Sequence, residues 1–202
     1  MTIHTFGDSH ANHPWDRIII NEEKINIHIL RPPNRPMTCA GFGYNKLEYL
    51  NIKNYDVEDN DVVCFCFGET DCRFHIDKRK EIYKDFINEI VENYFEAIKL
   101  NIEQLNNLTV IVLSVPPVLR FTPAAADFPI LGEDTDRKKY SEYFNFIIKG
   151  KCEEYNYHNL DVYNLYSNQD GYLNPEYADN YCHIMDPIFM EEELIKILKN
   201  EL

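Results

Sequence analysis

Asp61-Val62-Val63-Cys64-Phe65-Cys66-Phe67 runs directly into Gly68-Glu69-Thr70-Asp71-Cys72-Arg73-Phe74-His75. The first segment is almost wholly apolar, as expected for a strand covered on both faces. The second is a turn dense with polar groups, placed where that strand would leave a sheet. Leu108 to Val115 (Leu-Thr-Val-Ile-Val-Leu-Ser-Val) is a second strand of the same kind. Thr2 to Phe6 predicts a strand at the start of the chain. Lys24 to Leu30 alternates with period two and predicts another, and Asn159 to Tyr163 a shorter one.

Helical patterns separate these strands. From Lys78 to Glu103 the residues Ile82, Phe86, Ile87, Ile90, Val91, Tyr94, Phe95 and Ile98 recur at three and four, the buried stripe of a long helix. Asp136 to Tyr155 repeats the pattern through Tyr140, Tyr143, Phe144, Ile147 and Ile148, and Pro187 to Leu202 does so again. Strands that alternate with helices imply an α/β fold in three layers, α/β/α, with a central, mostly parallel five-stranded sheet. No repeat or linker divides the chain, so residues 1–202 form a single domain. In such sheets the ligand site lies at the carboxyl ends of the strands. Two stretches are irregular: Arg31 to Pro36, rich in proline, and Pro116 to Gly132, with four prolines and three consecutive alanines, a candidate lid or binding loop.

The bulk composition narrows the function. Hydrophobic residues make up 45% and charged residues 27%, the mix of a soluble globular protein. The net charge of −14 disfavours a phosphate backbone, so no nucleic-acid partner is expected. No secretory signal and no apolar run of membrane-spanning length is visible, so no membrane partner and a cytoplasmic location are expected. Cys39, Cys64, Cys66, Cys72, Cys152 and Cys182 follow no disulfide or zinc spacing and read as reduced thiols. Cys64, Cys66, Cys72 and His75 are close in sequence, but the two strand cysteines fit small buried hydrophobes better, and no metal is expected. The sequence carries no sign of oligomeric state.

Three segments carry chemistry. Gly7-Asp8-Ser9-His10 follows the first strand, where a tight turn lifts a hydroxyl above a sheet. The alternative is that Asp8 and Ser9 only cap a helix. Asp179-Asn180-Tyr181-Cys182-His183 offers an imidazole as general base and a carboxylate to orient it. The third is the turn from Gly68 to His75.

Together these segments resemble the SGNH/GDSL hydrolase superfamily. Gly7-Asp8-Ser9 is similar to its first block, Asp179 with His183 to its last, and Gly68-Glu69-Thr70-Asp71 stands where its third block reads Gly-x-Asn-Asp. The resemblance is strongest to a branch whose third block reads Phe-Gly-Glu-Ile-Asp-Cys-Arg-Cys-His-Ile, here Phe67 to Ile76. Val115-Pro116-Pro117 and Phe128-Pro129-Ile130-Leu131-Gly132 are similar to two further stretches of that branch, whose members often accompany sugar-modifying enzymes.

The resemblance implies a flavodoxin-like SGNH fold, Ser9 as nucleophile, His183 as base and Asp179 as the orienting acid. It implies Asp8, Gly41, Gly68, Thr70, Asp71, Arg73 and His75 as oxyanion- or substrate-binding groups. The chain departs from the pattern in three places. Asp179 precedes His183 by four residues, with Asn180 at the usual spacing of three; Thr70 replaces the third-block Asn; and the second-block Gly falls by register on Arg35, with Gly41 and Gly43 downstream. Arg73 is expected to pair with Glu69 or Asp71, or to hold a substrate anion.

The function implied is acyl transfer through an acyl-Ser9 intermediate, on an acylated sugar or nucleotide sugar, with no cofactor. An esterase or deacetylase would pass the acyl group to water. An acetyltransferase would take acetyl-CoA as donor and pass acetyl to a sugar hydroxyl or amine. A third possibility is a glycan-binding module of the same fold, which the presence of both Ser9 and His183 argues against.

Overall fold

The computed structural model describes residues 1–20, 23–30, 37–124, 129–179 and 181–200. The expected irregular stretch Arg31 to Pro36, with Arg35, lies outside them, as do Phe128 and Asn180. The apolar runs form the strands β1 (Ile3–Gly7), β2 (Asn26–Ile29), β3 (Val62–Cys66), β4 (Thr109–Leu113) and β5 (His158–Leu160). They make one sheet in the order β2-β1-β3-β4-β5, and every neighbouring pair is parallel. That is the doubly wound order with its switch between β1 and β3. A separate two-residue antiparallel ribbon pairs Ile19–Ile20 with Glu23–Lys24.

The strand period of two sends alternate side chains of β3 into two different cores. Val63, Phe65 and Phe67 join Phe6, Val110 and Val112 against the helices α1 (Cys39–Asn45), α2 (Tyr83–Ile102) and α3 (Asp134–Tyr155). Val62, Cys64 and Cys66 join Ile3, Ile111 and Leu113 against Trp15 and the helix α5 (Ile188–Asn200). The three-layer α/β/α expectation therefore holds, with the sheet wholly parallel.

The differences are local and have physical causes. The stripe expected from Lys78 starts as a 3-10 stretch over Asp77–Ile82, broken at Arg79 (φ −130°), and Ile82 is 56% exposed. Asn159 to Tyr163 does not continue as a strand. After Leu160, Asp161 accepts the Asn164 N–H and starts the short helix α4 (Val162–Tyr166). Lys24 leaves the main sheet for the ribbon. The helix α1 has no apolar period to announce it. Thr38 caps it by accepting the Gly41 N–H at 2.9 Å, and the Asp71 carboxylate accepts the N–H groups of Cys39 (2.7 Å) and Ala40 (3.3 Å). A carboxylate against these first-turn donors is favourable both as a hydrogen-bond acceptor and by the helix dipole.

Two features of the sheet have measurable consequences. At the end of β1, a Cβ on Gly7 would lie 2.0 Å from the Cys66 carbonyl oxygen, so the two backbones approach closely only because Gly7 has no side chain. On the opposite flank His4 Nδ1 and His28 Nε2 are 3.1 Å apart, and the His28 ring stacks on Phe6 at 4.6 Å with Tyr55 edge-on at 5.0 Å. One ring nitrogen must donate and the other accept, so the pair needs a neutral ring. Burial first, and His4 second, lower the His28 pKa to about 4. His4 is also lowered, chiefly by burial, although Asp61 at 3.3 Å opposes the shift.

Gly7→Ala should lower the unfolding free energy by about 1–3 kcal/mol, the usual cost of forcing a methyl into a filled space, read as a shift of the urea midpoint. An unfolded histidine gains its proton near pH 6.5, while folded His28 resists until about pH 4. Stability should therefore be whole above pH 6.5 and fall between pH 6.5 and about 4. Urea midpoints at pH 7 and 4.5 should fall less for His28→Gln than for the wild type; parallel losses would assign the acid sensitivity elsewhere.

Candidate active site

The parallel sheet brings the loops after β1 and β3 to one edge, and Ser9 sits on the first of them. Asp8 N–H donates to the Cys66 carbonyl at 3.3 Å, which holds the turn to the end of β3. Asp8 Oδ1 accepts the His10 N–H at 2.9 Å and caps the single turn Ser9–Ala11. Ser9 N–H opens that turn, in a position that leaves a backbone donor without an intrahelical acceptor.

His183 arrives from the far end of the chain on a loop closed around a carboxylate. Ala178 and Ile184 form an antiparallel bridge, and Asp179 N–H donates to the His183 carbonyl at 3.0 Å. Asp179 Oδ1 accepts the N–H groups of Tyr181 (2.8 Å) and His183 (3.0 Å). Asp179 Oδ2 lies 2.5 Å from His183 Nδ1, and His183 Nε2 lies 2.7 Å from Ser9 Oγ. A spacing of four thus reaches the ring because the chain folds back over the acid. Asp179 is partly buried, which alone would raise its pKa, but the His183 ring and the two N–H donors hold it below the usual carboxylate range.

Burial lowers the His183 pKa, and the neighbouring His10 and His13 rings lower it further against the pull of Asp179. A neutral imidazole that donates Nδ1–H to Asp179 keeps its Nε2 lone pair for the Ser9 hydroxyl proton. Ser9, His183 and Asp179 therefore form one continuous hydrogen-bonded chain from hydroxyl to carboxylate.

The remaining expected groups take other places. Gly68 has φ +118°, and a Cβ there would meet the Val115 side chain at 2.7 Å, so it makes the tight exit from β3. Thr70 is buried, and its hydroxyl accepts from Arg73 Nη2 at 3.4 Å. Asp71, fully buried, holds the start of α1 as described, and His75 Nδ1 lies 3.4 Å from it. Gly41 N–H is taken by Thr38, so the backbone donors at the start of α1 already have acceptors within the protein. Arg73 pairs with Glu69 through Nε at 2.8 Å, while Nη1 donates to the Pro129 carbonyl at 2.8 Å. That guanidinium fastens one arm of the loop expected from Pro116 to Gly132. The other arm approaches the loop of His183: Thr122 Oγ1 lies 2.7 Å from the Leu119 carbonyl and 3.0 Å from the Tyr181 carbonyl, which share its one hydroxyl hydrogen. A small cavity between the arms is lined by Glu69, Arg73, Pro116, Leu119, Arg137 and Cys182.

Two groups were not anticipated. The His10 ring centre lies 5.0 Å from that of His183, and the His13 ring centre 5.4 Å from it. The signal was present in the sequence: His10 adjoins Ser9, and His13 follows one helical turn after it. Among the described residues, His10, Cys182 and His183 are the one group whose side-chain donor atoms gather closely enough to suggest a metal, all within 4.8 Å. Both His183 nitrogens and His10 Nδ1 are already engaged by Ser9, Asp179 and Asp8, so the cluster is a hydrogen-bonded network. Cys64 and Cys66 have sulfurs 3.7 Å apart on one sheet face, and Cys72 lies in the opposite core.

No family model matches the sequence, and no curated protein matches it. Solved structures do match its fold. A GDSL-like lipase from Bacteroides thetaiotaomicron has a TM-score of 0.64 at 17% identity, covering 100% of this chain and 89% of that one. A member of the lipolytic G-D-S-L family from Veillonella parvula has a TM-score of 0.56 at 16% identity, covering 98% of each chain. An acetyl xylan esterase has a TM-score of 0.51 at 13% identity over 100% of both chains. With its wholly parallel sheet, its serine on the turn after the first strand and its histidine near the chain's end, the protein has the fold of the SGNH/GDSL hydrolases.

Proposed function

We propose that this protein is a serine esterase that removes a small acyl group from an acylated carbohydrate. The observation that carries the reading is the continuous chain from Ser9 Oγ through His183 to Asp179, at 2.7 and 2.5 Å. His183 Nε2 takes the hydroxyl proton as Ser9 Oγ bonds to the acyl carbon. The bond from that carbon to the sugar oxygen breaks, and the oxygen leaves with the proton from His183. Water then attacks the acyl-Ser9 ester, gives its proton to His183, and releases the acid as the proton returns to Ser9. Asp179 holds the ring in its working tautomer and stabilises the imidazolium. The Ser9 N–H is the backbone donor best placed for the oxyanion.

The rim supports a carbohydrate. Phe121 is 84% exposed and Tyr181 is 44% exposed, and the Thr122–Tyr181 hydrogen bond ties their segments together beside the base. The exposed Phe121 ring suits the apolar face of a sugar ring. Phe121 adopts φ +59°, and Asp134 holds this uncommon backbone by accepting the Phe121 N–H at 2.9 Å.

Intact-mass measurement after a serine-directed fluorophosphonate should show one adduct, absent in Ser9→Ala. Hydrolysis of a small aryl acetate should fall about 10³-fold or more in Ser9→Ala, His183→Ala and Asp179→Asn. The wild-type kcat/KM should lose activity only below pH 6.5, since the His183 pKa is lowered and the rate needs the neutral ring. Activity indifferent to all three substitutions would overturn the assignment. Acetyl-sugar formed from acetyl-CoA would instead make the protein an acetyltransferase, while an unlabelled Ser9 with retained glycan binding would make it a binding module. Phe121→Ala should raise KM several-fold for acetylated sugars and leave the aryl acetate unchanged; equal effects on both would remove the aromatic rim from substrate binding.

A further inference from the structure

His10 follows the proposed nucleophile in the chain, its ring centre lies 5.0 Å from that of the proposed base, and no step of the mechanism above uses it. Its ring is 3% exposed. Nδ1 lies 2.9 Å from Asp8 Oδ1, and Nε2 faces the Cys182 carbonyl oxygen at 3.4 Å. Both partners are acceptors. The Asp8 oxygen already accepts the His10 backbone N–H, and a carbonyl has no hydrogen to give. A neutral imidazole has a single N–H and would leave one of these contacts as two facing lone pairs. The doubly protonated ring satisfies both.

The second Asp8 oxygen, Oδ2, is buried, and among the described residues it has no hydrogen-bond partner, so there the carboxylate is compensated by His10 and the turn it caps. A buried carboxylate of this kind persists when it is paired with a cation. The ring also joins two distant parts of the chain. Asp8 precedes the nucleophile and Cys182 precedes the base, so one side chain spans the two residues that flank the Ser9–His183 hydrogen bond.

We propose that His10 is a buried imidazolium, held by Asp8 and the Cys182 carbonyl, and that it acts as a positioning residue: it fixes the loop carrying His183 against Ser9 and keeps His183 neutral by charge repulsion. The inference rests on the reading of His183 as the base. A cation whose ring centre is 5.0 Å away disfavours a second positive charge on His183. The other groups around the pair divide by sign. Asp179 favours the His183 imidazolium, and Glu69 adds to Asp8 in favouring that of His10. His13, 3.5 Å from Asp16, opposes His183 protonation. Arg73 is matched by Glu69, and the Cys182 thiol, raised well above its ordinary range by burial, stays uncharged. The directions agree with the geometry. Burial alone would lower His10, but Asp8, Glu69 and the Cys182 carbonyl together outweigh it and the His10 pKa is raised, whereas that of His183 is lowered.

Nitrogen-15 NMR of the histidine side chains in the full-length protein tests this without relying on turnover. In the wild type His10 should carry protons on both nitrogens with a midpoint above 6.5, and His183 should titrate below 6.5. In His10→Gln the His183 midpoint should rise by about one unit, and the acidic limb of aryl-acetate kcat/KM should move up with it. A His183 midpoint that stays in place in a folded His10→Gln overturns the proposal, even if kcat falls. A wild-type His10 that is neutral at pH 6.5 overturns it as well, and that measurement needs no variant. Loss of the esterase reading would appear differently, as turnover insensitive to Ser9→Ala with the two midpoints unchanged.

Discussion

The parallel pairing of β1 with β3, closed where Gly7 meets the Cys66 carbonyl, is the contact from which the site is built. Parallel strands deliver their following loops to the same edge. The Ser9 turn and the Glu69–Arg73 turn are therefore neighbours, although 60 or so residues separate them in the chain. Asp8 N–H extends the pairing by one more hydrogen bond to Cys66. Any side chain at position 7 would push these strand ends apart and, with them, the hydroxyl from the histidine that must reach it.

The base is positioned by a different device. The turn from Asp179 to His183 is too short to pack a core of its own, and its order comes from one carboxylate that accepts two backbone N–H groups and the ring. Thr122 and His10 then hold the turn from either side through the carbonyls of Tyr181 and Cys182. Polar contacts of this kind fix distance and direction more sharply than apolar packing does, which suits the 2.7 Å separation of His183 from Ser9.

The layers of the fold were legible in the sequence because its cores obey simple periods. Val62 to Phe67 alternates between two cores at period two, and Ile87, Ile90, Val91, Tyr94 and Ile98 follow a helical stripe. The elements that were missed, α1 and α4, are short and held by caps. Their signal is a Thr or Asp hydrogen bond, with Asp71 added from another part of the chain, and no periodicity records it. The hydrogen-bonded chain was legible where local motifs carry it, at Ser9, Asp179 and His183. Asp71 and Arg73 were visible as polar residues on the right turn, but their partners, the α1 backbone and Pro129, are 32 and 56 residues away. His10 was visible as the residue beside Ser9, but no periodic or spacing signature announced its burial.

A base with a lowered pKa has a chemical cost and a chemical use. It is a weaker acceptor for the Ser9 proton, which slows the first transfer. It is also a stronger acid once protonated, and in the proposed reaction an alkoxide leaving group departs readily only when it receives a proton. The donors at the start of α1 are committed to Thr38 and Asp71, so in the proposed reaction they would give an oxyanion little support, and each missing donor typically costs about 3 kcal/mol. Less stabilisation of the tetrahedral state raises the transition states for its formation and for its collapse. An imidazolium that sheds its proton easily acts on that same step. The buried Asp8–His10 pair lies beside His183, and in the proposed reaction a cation there would favour passing the His183 proton onto the departing oxygen.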